Sequence, residues 1–123
     1  LFQIHEDAKK AVPQTHLDFL TNLPLTRVES DLLFVHAGIR PGVALENQHP
    51  DDLVWIREGF LDHTAPHPLL VVHGHTTIDA PTHYGNRINL DSGAGYGNPL
   101  STAVFEGKNS WLLTRDGRET LTP

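Results

Sequence analysis

Leu32-Leu33-Phe34-Val35-His36-Ala37-Gly38 and Leu69-Leu70-Val71-Val72-His73-Gly74-His75-Thr76 are the two stretches whose reading decides the fold. Each is a short continuous apolar run, the pattern of a strand covered on both faces rather than of a half-buried alternating one. Each stops at a glycine-containing turn with a histidine at its exit. A histidine at the carboxyl edge of a buried strand sits where open α/β sheets build their sites. Two such edges side by side can offer two neutral nitrogens to one metal ion.

Outward from these runs, Leu25–Glu29 alternates and reads as a strand, and a two-residue turn at Ser30-Asp31 joins it to Leu32–His36 as a hairpin. Upstream, a short helix is expected around Glu6–Ala11. A second begins at Pro13, carries the stripe Leu17, Leu20 and Leu23 with Phe19 nearby, and ends at Pro24. Ile39–His49 is a loop marked by Pro41, Gly42 and Asn47. Pro50-Asp51-Asp52 opens a short helix with acidic residues in its first turn. After His75 the pattern turns to short alternating segments, Thr82–Tyr84, Arg87–Leu90, Thr102–Glu106 and Ser110–Thr114. They read together as an antiparallel meander. The fold class is α/β: sheets with helices outside, the C-terminal portion a meander.

The chain has 123 residues, enough for one modest domain, and 38% of them are hydrophobic, so a core is available. The formal net charge of -6 argues against nucleic acid or an anionic membrane surface as partner. No apolar run approaches the ~20 residues of a membrane span. No signal peptide opens the chain, so a cytoplasmic setting is expected. Cysteine is absent, which removes disulfides and thiolate ligands. Leu1-Phe2-Gln3-Ile4-His5 carries no initiator methionine, and the chain contains none, so a fragment or a piece of a longer protein is expected.

The residues themselves leave two readings open at each candidate position. His36 is either a buried imidazole satisfied by backbone or a metal ligand. His73 packs within or beside its strand. His75 follows Gly74, which would let the chain turn tightly and bring the ring inward. Trp55-Ile56-Arg57-Glu58 is either a helix end with a solvated Arg-Glu pair or an arginine aimed at an oxyanion, a task suited to its planar fork. Asn89–Asn98 is a strand running into a glycine-rich loop: a plain hairpin connection, or a site wall to which Tyr96 adds a hydroxyl. Asp91 at that strand's end reads as a cap of the turn.

In order, Phe34-Val35-His36-Ala37-Gly38, Leu53-Val54-Trp55-Ile56-Arg57-Glu58, Val72-His73-Gly74-His75-Thr76 and Ile88–Gly97 resemble the C-terminal half of the bacterial serine/threonine phosphoprotein phosphatases, within the calcineurin-like metallophosphoesterases. The resemblance spans residues 13–107. It implies a β-sandwich flanked by helices in an α-β-β-α arrangement, with a two-metal centre at the strand ends. By this resemblance His36 and His75 ligate the same one of the two metals, Arg57 holds the phosphoryl group, and Tyr96 lies near an active-site tyrosine of the eukaryotic relatives. His73 matches no ligand position.

The same resemblance implies two divalent metal ions in the complete domain. Manganese is the usual metal of the family, and these residues also admit iron or zinc. The implied activity is phosphomonoester hydrolysis by metal-activated water, on a phosphorylated protein or a small phosphoester. A diadenosine tetraphosphate hydrolase and a non-catalytic interaction module are the alternatives. Three motifs of the family's first half, Asp-x-His, Gly-Asp-x-x-Asp-Arg-Gly and Gly-Asn-His-Glu, do not occur here. Residues 1–123 are therefore expected to form the second half of a single domain, with part of the site and with apolar surface available for self-association.

Overall fold

Strands covered on both faces must find two layers to lie between, and the computed structural model shows both. It describes residues 2–123, so Leu1, the first residue of the expected domain, lies outside the described residues. The elements run α1 (Phe2–Ala11), α2 (Gln14–Thr21), β1 (Thr26–Glu29), β2 (Leu32–Val35), α3 (Pro50–Trp55), β3 (Leu70–His73), β4 (Thr82–His83), β5 (Arg87–Asn89), β6 (Ala103–Glu106), β7 (Asn109–Thr114) and β8 (Gly117–Thr120).

They form two sheets, a mixed one in the order β1-β2-β3-β5-β4 and an antiparallel one in the order β6-β7-β8. The β1–β2 hairpin closes at Ser30-Asp31, with Glu29 opposite Leu32 and Ser30 in the left-handed region at φ 54°. β2 and β3 run parallel, Phe34 beside Val72, and their connection carries α3. Parallel neighbours need such a crossover.

Alternation along the strands divides the core. Leu33, Val35 and Val71 face one side and pack with Leu53 and Ile56 of the α3 region and with Phe60. Leu32, Leu70 and Ile88 face the other, where Phe105 of β6 and Leu121 beyond β8 close over them. Phe105 meets Phe34 edge to face, with centroids 5.7 Å apart.

Three expectations change in the structure. The segments expected as one meander belong to two sheets: β4–β5 is a hairpin of the mixed sheet, and β5 runs parallel to β3, with His73 beside Asn89. The meander proper is β6–β8, and it includes β8, whose exposed polar residues carry no alternation to read. The leucine stripe of α2 stays exposed: none of that helix is buried, and Phe19 and Leu20 are 66% and 59% exposed. Beyond α2, residues 24–27 border an open groove of about 500 Å3 together with Phe34, Val72 and Leu90, on the face that the three-stranded sheet covers only in part. No helix among the described residues is long and apolar enough to cross a membrane.

Candidate functional site

Because β2 and β3 are parallel and in register, their carboxyl ends finish side by side. The Gly74 N–H donates to the His36 carbonyl at 2.9 Å, which clamps the two exits together. This brings the sequence-expected pair into contact: His36 Nε2 and His75 Nδ1 are 3.2 Å apart. The ring centroids lie 5.0 Å apart, with the planes inclined by 66°.

Two imidazole nitrogens bound to one tetrahedral ion at 2.0–2.1 Å stand about 3.3 Å apart, so the observed spacing fits a shared cation. Burial, then the charges of Arg57 and His36, lower the pKa of His75, which keeps its lone pair free at neutral pH. The Trp55 backbone carbonyl is an acceptor acting on His75, while Nε2 itself is buried without a fully formed hydrogen bond. A ligating histidine typically points its second nitrogen at such a carbonyl. Two ligands do not fill a coordination sphere, and no group of three or more His, Asp or Glu gathers among the described residues. The pair fits as part of a metal site, with the remaining positions to be filled by water or by groups outside this set.

The turn that presents His75 differs from the expected one. Gly74 does not take the left-handed conformation; His75 itself does, at φ 67°. A non-glycine residue held there costs of order 1–3 kcal/mol, and such strain is concentrated at functional sites. It is held from two sides. The Trp55 ring packs edge-on against His75 at 5.5 Å. The fully buried Asn89 donates to the Thr76 carbonyl at 2.8 Å while its own oxygen accepts the Asp91 N–H at 2.9 Å.

His73 meets different chemistry. Arg87 Nη1 donates to its Nε2 at 3.2 Å, so the proton sits on Nδ1, 3.1 Å from the Gly74 carbonyl. Its lone pair is thus committed. The Phe60 ring lies edge-on at 5.0 Å, and burial, with a smaller contribution from the Arg87 charge, pushes the pKa down to about 4. Arg87 itself stacks 3.7 Å from the Tyr84 ring centroid and donates to the Leu61 carbonyl at 3.0 Å. Phe60 in turn packs against Gly38, where a Cβ would fall 2.3 Å from the ring. This Arg87–His73–Phe60 lock was not visible in the sequence, because an arginine in a short strand reads as exposed.

Arg57 follows α3 directly. The helix starts at Pro50, with the His49 ring accepting the Asp51 N–H at 3.2 Å, and Arg40 forks onto Asp52 at 2.9 and 2.7 Å. The Phe60 and Leu61 N–H groups bond back to the Arg57 carbonyl, and Ile56 is buried, so the backbone is fixed while the guanidinium stays in solvent. The structure therefore brings Arg57 within electrostatic reach of His75. Trp55, at the end of the helix, lies 67% exposed beside the histidine. Tyr96 sits in a short turn, Ala94–Tyr96, and is 86% exposed. The described hydrogen bonds and ring contacts do not join it to His36, His75 or Arg57.

With this geometry in view, one solved structure resembles the chain. It is described as a "putative diadenosine tetraphosphatase" and superposes with a TM-score of 0.71 at 24% identity, covering 86% of this chain and 57% of that one. The likeness is one of fold, a mixed α/β chain with one mixed and one antiparallel sheet. This chain spans little more than half the length of that neighbour. No family model and no curated protein matches the sequence.

Proposed function

We propose that this chain is the C-terminal half of a metal-dependent phosphoester hydrolase and carries one part of its active site. The observation that supports the reading is the 3.2 Å approach of His36 Nε2 and His75 Nδ1 at adjacent parallel strand ends, with Arg57 close by. In this reading His36 and His75 hold a divalent cation, manganese by expectation. A cation so placed supplies a nucleophilic water at neutral pH and charge stabilisation for phosphoryl oxygens.

The chain's own residues do the rest. His75 stays neutral because it is buried near Arg57, so it enters the site with its lone pair available. Trp55 and the Asn89 bridge hold its ring and backbone against the strain of φ 67°. Arg57, fixed in backbone and free in side chain, takes two phosphoryl oxygens in its fork and offsets charge that develops on them. Tyr96 has no assigned step, and its hydroxyl joins only if the loop at Gly93–Gly97 moves toward the histidines.

Phosphorylated serine or threonine in a protein is the first substrate reading. Dinucleoside polyphosphate is the second, and it is favoured by the structural neighbour. The test is manganese-dependent hydrolysis of p-nitrophenyl phosphate, with bound metal quantified. Turnover lost in His36→Ala or His75→Ala supports a site completed between copies. Bound manganese without turnover supports half of a site. The absence of both binding and turnover contradicts the proposal. A phosphopeptide against diadenosine tetraphosphate then separates the two substrates.

A further inference from the structure

Asp91 stands at the end of β5, one strand over from the His73-Gly74-His75 turn, and the structure fixes it more firmly than a turn cap requires. Its N–H is held by Asn89, and its carbonyl accepts the Ile78 N–H at 2.9 Å. Oδ1 accepts the Gly93 N–H at 3.0 Å, the capping role read from the sequence. That cap rests on a glycine that cannot be replaced: Gly93 has φ 77°, and a Cβ there would lie 2.8 Å from Thr77.

The other oxygen, Oδ2, has no such tie. It leans over Gly74, where a Cβ would lie 3.7 Å from Oδ2 and 3.4 Å from the Asp91 Cβ. Asp91 lines the same groove as His36 and His73.

A site of two neutral imidazoles beside Arg57 has no negative charge of its own, whereas hard divalent cations are held by carboxylate oxygen. We propose that Asp91 is a positioning residue of the His36–His75 site, its free Oδ2 supplying from the second shell the negative charge that holds a divalent cation between the two rings. This rests on the metal reading of the histidine pair. It adds an acidic residue to the site and a second purpose to the Gly93 cap, which aims the carboxylate.

Isothermal titration of manganese into the 123-residue chain tests it. Asp91→Asn keeps an oxygen for the Gly93 N–H and removes only the charge. It is expected to weaken manganese binding roughly 10-fold, the scale of second-shell losses. Asp91→Glu, which restores the charge, is expected to recover most of the affinity. Asp91→Ser, which still caps through its hydroxyl, serves if the asparagine variant does not fold and is expected to show the same loss.

If His75→Ala abolishes binding while Asp91→Asn and Asp91→Ser bind like the wild type, the proposal is overturned and the histidine site stands. If the wild type and His75→Ala bind alike, or the wild type does not bind, the histidine reading fails and the proposal with it. A loss in Asp91→Asn that Asp91→Glu does not recover makes Asp91 a structural cap only and also overturns it.

Discussion

His73 and His75 are two residues apart at one strand end, yet they belong to different chemistry. His73 is 3% exposed, proton on Nδ1, lone pair occupied by Arg87, ring against Phe60. His75 is part-buried, strained, and turns its Nδ1 to His36. A buried polar group is tolerated when its partners are supplied, and then it rigidifies its surroundings. One that keeps a nitrogen for something outside the core is held instead by packing and by strain. The closed face, around Phe60, stabilises; the open edge, where His36 meets His75, is left for binding.

The comparison breaks most visibly at Phe60, which is completely buried at the centre of the closed face. Phe60→Ala is expected to cost about 3–5 kcal/mol in urea unfolding. A loss below ~1 kcal/mol would mean that the closed face is not what holds the chain together.

Acid comes next. The folded pKa of His73 lies near 4 and the unfolded value near 6.5. As pH falls through 6.5, the unfolded chain takes up the proton first. Stability is therefore full above about pH 6.5 and falls progressively to about pH 4, by roughly 3 kcal/mol. His73→Gln is expected to flatten that slope, measured as urea midpoints at pH 7, 6, 5 and 4. An unchanged slope would place the acid sensitivity elsewhere.

The open edge is expected to behave in the reverse sense. His75→Gly relieves the left-handed strain and should raise stability by about 1 kcal/mol, even as it deletes a candidate ligand. A destabilisation of similar size would show that the contacts with Trp55 and His36 outweigh the backbone term. Arg57→Ala, on a solvent-exposed side chain, should leave stability within ~0.5 kcal/mol. It should move the His75 pKa upward, since the Arg57 charge depresses it, and an NMR titration of the ring reads that shift.

Much of this architecture was legible because its signals are local. The apolar runs, the turn at Ser30-Asp31 and the proline at the start of α3 each settle their own few residues. Strand partners are not local. Gly85-Asn86 announces the β4–β5 hairpin, but nothing in Arg87–Leu90 says that its other edge meets β3 in parallel. That pairing is decided by Ile88 joining Leu32 and Leu70 in one core cluster. The exposed strand β8 has no apolar alternation to announce it.

The site was legible to a similar depth. His36 and His75 stand out because each ends an apolar run, and the structure brings them together. Sequence reasoning gives the tight turn to Gly74, because unusual turns usually fall on glycine, whereas it is His75, packed against Trp55, that takes the left-handed conformation. Arg87 was hidden because a guanidinium becomes a core residue only when a ring, a carbonyl and an imidazole converge on it, and those come from three separate segments.

The central claim is that His36 Nε2 and His75 Nδ1 face one cation while His73 does not. Titration of zinc into uniformly 15N-labelled chain, read at the imidazole nitrogens, tests this most directly. The account predicts that His36 Nε2 and His75 Nδ1 shift together and saturate at one equivalent, while both nitrogens of His73 keep their positions. Shifts confined to other histidines, or a shift of His73 Nε2 in place of His75 Nδ1, would contradict it.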